Sequence, residues 1–246
     1  MNLSGNTILI TGGSSGIGLE LCKQLSKWNN IIIICSRSME KLKEAKKLVP
    51  QIKIIQCDLG DLAQCNGLIE QIQFRYPQIN ILINNAAIVH KINFVETKEA
   101  VQMAEKELSV NVLAPINLIK KLYPFLRKKQ NANIINITSG LVYVPRSDYP
   151  FYCATKAAIH SFTQVLRKQT EKEGVKVTEV FFPAVKTPWH KGHPPQMAIT
   201  PEKAVSEMLT GLQKNKDEIK VGAAKLLYRI SRIAPKFAFR KVNNLK

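Results

Sequence analysis

Three side chains in this sequence have the types and spacing of a proton-transfer device. Tyr152 and Lys156 stand four residues apart in Tyr-Cys-Ala-Thr-Lys, and Ser139 precedes the tyrosine by thirteen. On a helix, positions i and i+4 share a face, which brings the Lys156 ammonium near the Tyr152 phenol. A phenol titrates at about pH 10. A fixed cation beside it favours the phenolate and moves the pKa toward the range where acid–base catalysis is efficient. The spacing therefore predicts a Tyr152 pKa held below its ordinary value. Ser139 closes the β-branched run Ile134-Ile135-Asn136-Ile137, where a hydroxyl could orient a substrate carbonyl. A solvated pair on an ordinary helix would show the same pattern, so the elements around it decide.

Those elements alternate. Short β-branched runs fall at Thr7–Ile10, Ile31–Cys35, Ile52–Gln56, Ile79–Ile83, Ile134–Ile137 and Val175–Phe181. Helical patterns lie between them, near 16–27, 39–48, 61–75, 101–127 and 152–173. Unbroken isoleucine runs require cover on both faces, and the alternation implies βαβ units on a parallel sheet. The right-handed crossover rule then predicts an α/β, Rossmann-type doubly wound parallel sheet flanked by helices on both faces. No repeat or composition break divides the 246 residues, so one domain over 1–246 is expected. Prolines 188, 194, 195 and 201 predict a loop or lid over about 186–200.

After the first run comes Thr11-Gly12-Gly13-Ser14-Ser15-Gly16-Ile17-Gly18. Glycines 12, 16 and 18 permit close approach of backbone to a pyrophosphate, and the helix N-terminus that follows offers N–H groups and a positive dipole end. Ser14, Ser15, Gly16 and Ile17 are thus expected against the phosphates. The second run ends in Cys35-Ser36-Arg37, without the carboxylate that usually holds the ribose hydroxyls of NAD. Ser36 and Arg37 suit a 2′-phosphate through charge-assisted hydrogen bonds, with Lys41 a weaker helper, so NADP(H) is predicted over NAD(H). Asp58, before Leu59, is placed to accept from an adenine amino group. Asn85 and Ala86, in Asn84-Asn85-Ala86-Ala87, leave room for the cofactor to pass.

Composition narrows the remaining classes. Lys and Arg total 36 against 18 acidic residues, a net charge of +18 that implies attraction to nucleotide phosphates, anionic membrane or nucleic acid without choosing among them. No recognition module supports specific nucleic-acid binding. Five scattered cysteines, with no C-x-x-C, read as buried free thiols in a reducing compartment, and no metal site is expected. With no secretory leader read at the start and no apolar stretch of spanning length, a cytoplasmic location is expected. Ser, His and Asp do not occur in a nucleophile-elbow context, which disfavours a hydrolase.

The motifs in order are Thr-Gly-x-x-x-Gly-Ile-Gly at 11–18, Asp58, Asn-Asn-Ala-Ala at 84–87, Asn111, Ser139 and Tyr-x-x-x-Lys at 152–156. Over nearly its whole length the chain resembles the short-chain dehydrogenase/reductase superfamily. Thr138-Ser139-Gly140-Leu141, Pro183-Ala184-Val185-Lys186-Thr187 and the tail from Lys225 to Phe237 look like its DltE-like oxidoreductase branch. The resemblance implies that Tyr152 is the general acid/base. It implies that Lys156 lowers the Tyr152 pKa and binds the nicotinamide ribose, and that Ser139 orients the substrate oxygen. It also implies that Asn111 holds a water in a relay to Lys156, whereas the residues alone leave Asn111 an ordinary polar helix residue. Val185 and Thr187 would grip the carboxamide, although the family's usual Pro-Gly is Pro183-Ala184 here. Members are commonly dimers or tetramers joined through the long helices, here near 101–127 and 152–173.

Beyond the strand ends, Tyr143, Tyr149 and Trp189 are candidate walls of a pocket for a hydrophobic carbonyl or secondary alcohol, with His90, His190 and Met197 in lesser roles. The basic, amphipathic tail over about 222–246 has helical spacing at 226, 227, 230 and 233 until Pro235 interrupts it. Peripheral contact with anionic lipid is one reading, and cover of the substrate side or a subunit interface is the other. The expected activity is NADP(H)-dependent hydride transfer to or from a carbonyl or alcohol. The alternative is a non-catalytic nucleotide-binding regulator or scaffold with peripheral membrane contact.

Overall fold

Consecutive residues of a strand point to opposite faces, so an unbroken apolar run must be covered on both. The computed structural model shows that cover; it describes residues 1–190 and 192–244. Lys191 in the expected lid, and Leu245 and Lys246 in the expected tail, lie outside the described residues. Strands β1 (Thr7–Thr11), β2 (Ile31–Ser36), β3 (Lys53–Gln56), β4 (Ile81–Asn84), β5 (Asn133–Ser139), β6 (Lys176–Phe182) and β7 (Glu218–Lys220) form one parallel sheet. Their order is β3-β2-β1-β4-β5-β6-β7.

Helices α1 (Gly16–Leu25), α2 (Met39–Leu48) and α7 (Pro201–Gln213) cover one face, where Leu21, Leu42 and Met208 pack with Ile8, Ile10, Ile34 and Ile83. On the other face α3 (Leu62–Arg75), α5 (Ala114–Leu126) and α6 (Pro150–Thr170) bring Leu68, Leu118 and Leu166 against Leu9, Ile33, Leu82 and Ile134. Neighbours such as Ile8 and Leu9 therefore serve different cores, which is why the runs do not alternate with polar residues. The strand order reverses between β1 and β4, and a doubly wound sheet opens its ligand crevice at the carboxyl ends beside that reversal. The glycine turn, Asn84–Ala87 and Ser139 all lie at strand ends there.

Three elements depart from the expectations. The single helix foreseen over 101–127 is α4 (Ala100–Leu108), a π turn (Ser109–Leu113) and then α5. Pro115 has no N–H to give the Asn111 carbonyl four residues earlier, so the α ladder cannot run through. The turn widens until Ala114 N–H reaches Ser109 O. Helix α7 and strand β7 are not among the elements expected from the sequence. Pro201 does not extend the loop; it is the first residue of α7, and Thr200 caps that helix by accepting from Lys203 N–H at 3.3 Å. The three residues of β7 carry only Ile219 as a buried signal. The tail folds as α8 (Ala223–Ile233) and α9 (Pro235–Asn243), divided at the expected proline.

Candidate active site

Strand β5 ends at Ser139, and α6 lies across that end with Tyr152 in its first turn. Ser139 lies close enough to Tyr152 to favour its phenolate, and Ser139 Oγ accepts from Leu141 N–H at 3.2 Å. One turn further, Lys156 is buried. Its Nζ donates to the Ile137 carbonyl at 2.8 Å and lies 5.6 Å from the Tyr152 ring centroid. The three residues named from the sequence thus meet at one strand end.

The electrostatics correct the sequence reading. Burial pushes the Tyr152 phenol above its ordinary value, and the Ser139 side chain only partly offsets this. Lys156 does not hold the phenol down. Burial lowers the ammonium itself to about 8, against the opposing pull of Glu179 and Glu107. Desolvation disfavours whichever form is charged, so a buried phenol and a buried amine both move toward neutrality.

Neither carboxylate is among the candidates that the sequence offers. Glu107, on α4, is fully buried; its Oε1 accepts from His90 N–H at 2.7 Å and lies 2.9 Å from His90 Nδ1, while its Oε2 has no hydrogen-bond partner among the described residues. Burial raises its pKa, with His90 and Lys156 opposing. Glu179, on β6, accepts from Thr138 Oγ1 at 2.7 Å and contacts His160 Nδ1 at 2.9 Å, which raises the His160 pKa. A carboxylate inside Val-Thr-Glu-Val-Phe was a legible anomaly. Glu107, in Glu-Lys-Glu, carries no such signal. Asn111 sits in the π turn with its side chain fully engaged: Nδ2 donates to Ile88 O (2.9 Å) and Thr155 Oγ1 (3.2 Å), and Oδ1 accepts from Ile88 N–H (2.9 Å). It ties the segment after β4 to α6.

At the other end of the crevice the glycine turn is tight enough to exclude side chains. Gly12 has φ 66°, and a Cβ there would lie 2.9 Å from Ala86 Cα. A Cβ on Gly18 would lie 2.2 Å from Gly12 O. Asn85 holds the turn to β4: its Nδ2 donates to Thr11 O at 2.9 Å, and the Asn85 and Ala86 N–H groups both donate to Thr11 Oγ1. Ser15 makes no side-chain cap to α1, leaving the first-turn N–H groups around Gly16, Ile17 and Gly18 directed outward. Ser14 Oγ donates to Ser36 Oγ at 3.0 Å, and the exposed Arg37 follows. Asp58 Oδ1 accepts from Gly60 N–H at 2.9 Å, next to the buried Leu59. Thr187 packs near Gly16, and Val185 bridges to Ile199, so the expected lid is anchored where it leaves the sheet. Bare backbone and outward N–H groups at a helix start fit the phosphates of a dinucleotide.

Of the pocket candidates, Tyr149 and Trp189 lie together at 5.5 Å between ring centroids, and Trp189 stands 5.8 Å from Tyr152. Tyr143 does not join them. It stacks on Phe181 at 5.0 Å and meets Tyr228 of α8 at 4.9 Å, because the short 3-10 turn Gly140–Val142 carries it under the tail. His190 adjoins Trp189 at 4.6 Å. Among the described residues no helix is long and apolar enough to cross a membrane.

The profile of the short chain dehydrogenase family matches residues 6–198. A Bacillus subtilis protein named uncharacterized oxidoreductase DltE is 41% identical over 224 residues, covering 89% of each chain. A fatty acyl-CoA reductase of Acinetobacter baylyi is 29% identical over 241 residues, covering 95% of this chain and 82% of that protein. Among solved structures, a short chain dehydrogenase from Burkholderia cenocepacia in complex with NADP superposes with a TM-score of 0.87 at 23% identity, covering 98% of this chain and 99% of that one.

Proposed function

The chain belongs to the short chain dehydrogenase family, and from that premise we propose that it is an NADP(H)-dependent reductase of apolar carbonyl compounds. The observation that carries this reading is the placement of Ser139 and Tyr152 together beside a buried Lys156, at the strand ends that also bear the glycine turn. When bound, the nicotinamide cofactor supplies the hydride that the carbonyl carbon receives. Ser139 Oγ, already accepting from Leu141 N–H, has its own proton to direct at the carbonyl oxygen. Tyr152 gives its proton to the same oxygen as the double bond becomes single. Its raised pKa keeps the phenol protonated at neutral pH, which favours the reductive direction.

Lys156 holds positive charge beneath the tyrosine, bonds the ribose and returns the proton. The relay ascribed to Asn111 falls to its backbone carbonyl, since the side chain is engaged and Pro115 offers that carbonyl no N–H. Ser36 and Arg37, with Ser14, hold the 2′-phosphate, and Asp58 receives the adenine amino group. Gly12, Gly16 and Gly18 admit the pyrophosphate, and Val185 and Thr187 flank the carboxamide. Tyr149, Trp189 and exposed Met197 line an apolar approach, and a relative named for fatty acyl-CoA reduction agrees with that chemistry. Exposed Val101, Leu108, Leu113 and Val165 on α4–α6 support self-association there.

The test is NADPH consumption with aldehydes and ketones of increasing chain length. Turnover that grows with apolar length is expected. NADPH binding with no turnover of any member would overturn the enzyme reading and leave the regulator or scaffold.

A further inference from the structure

The surface of α8 divides into three arcs, because each residue advances about 100° around a helix. Ala224, Leu227 and Tyr228 face inward on Gly140 and Tyr143. Lys225, Arg229 and Arg232 share the second arc. Leu226 and Ile233, seven residues apart, occupy the third, beside the cations, and are 59% and 85% exposed. Helix α9 continues the pattern. Ala238 and Val242 are buried on Val144, while Phe237 and Phe239 are exposed between Lys236, Arg240 and Lys241. No acidic residue follows Glu218, and Arg229, Lys236, Arg240 and Lys241 form no ion pair among the described residues.

The tail is fixed to the catalytic side of the molecule. Asn243 accepts from Ser147 N–H at 2.6 Å and donates to Pro145 O at 3.1 Å, on the segment that leads from Ser139 to Tyr152. Gly222, at the start of α8, lies beside Ile199 of the lid and Pro183 just before it.

We propose that the outer face of α8 and α9 docks on an anionic lipid bilayer. Ile233 and Phe237 seat among the acyl chains, and Arg229, Lys236 and Arg240 meet the phosphate headgroups. Exposed apolar side chains beside unpaired cations match an interface that is apolar beneath and anionic above. A nucleic acid would engage the cations and leave Ile233 and Phe237 in water. Docked this way, the crevice opens close to the membrane surface, where long-chain carbonyl compounds partition. The binding itself needs no turnover, so it stands or falls apart from the reductase reading.

Co-sedimentation of the full chain with phosphatidylcholine vesicles, with and without phosphatidylglycerol, tests it. Binding to the mixed vesicles, lost at high salt, is expected. Arg229→Gln and Arg240→Gln should each weaken it about five-fold, and Ile233→Ser about ten-fold. Lys46→Gln and Lys47→Gln, on exposed positions of α2, should leave it unchanged. Three results would overturn the proposal: no binding at low salt, equal loss in the α2 variants, or a tail that instead joins two copies, seen as a dimer in sedimentation that Phe237→Ser dissociates.

Discussion

Replacing Lys156 by methionine should stabilise the fold while disabling the site. Methionine keeps the unbranched stem and removes the ammonium. The lysine pKa falls from 10.5 unfolded to about 8 folded, through burial that outweighs Glu179 and Glu107. That difference corresponds to about 3 kcal/mol of penalty for holding the charge at pH 7. Because the residue is 4% exposed, solvent screening does not dilute the figure. Losing the hydrogen bond to Ile137 O returns about 1 kcal/mol, leaving a gain of about 2 kcal/mol, or about 4–8 °C in Tm for a chain of this size.

The sign of the pH dependence is set by which state binds the proton more weakly, here the folded one. The penalty is complete below about pH 8, shrinks as pH rises from there to 10.5, and vanishes above. Urea unfolding of wild type and Lys156→Met at several pH values measures it. The variant's advantage should be largest near neutrality and fade through that window. A variant less stable than wild type at pH 7, or an advantage independent of pH, would refute the reasoning.

Tyr152→Phe should lower NADPH-dependent reduction about 10²–10⁴-fold with little change in Tm, measured by steady-state kinetics and thermal unfolding. In Arg37→Asp, loss of the 2′-phosphate contact should reduce the preference for NADPH over NADH by at least about ten-fold in kcat/KM; an unchanged ratio would assign the phosphate elsewhere. Gly18→Ala places a methyl group 2.2 Å from Gly12 O, and a loss of about 1–3 kcal/mol in unfolding free energy is expected with weakened NADPH binding in calorimetry. His160 has its pKa raised by Glu179, so the pair's contribution is complete below pH 6.5 and fades as pH rises through the higher folded value. The stability deficit of His160→Gln should therefore be greatest in mildly acidic buffer and shrink toward alkaline pH.

What the sequence determined by itself was local chemistry with a period or a spacing. The isoleucine runs implied doubly covered strands. The glycine turn implied a backbone nothing bulkier could line, and Tyr152 and Lys156 implied a shared helical face one turn apart. Each depends on residues within a few positions of one another, and each is present in the fold. The tertiary structure decided what depends on distant segments meeting. Tyr143 lies under α8 because the tail returns to cover the 3-10 turn after β5, and nothing near position 143 announces that return. Glu107 is buried against His90 because the segment after β4, held to the π turn through Asn111 and Ile88, packs over α4. The direction of the Tyr152 shift was settled in the same way. A neighbouring cation is visible in a string of residues, but desolvation is the sum of every segment packed around a group, and here that sum is the larger effect.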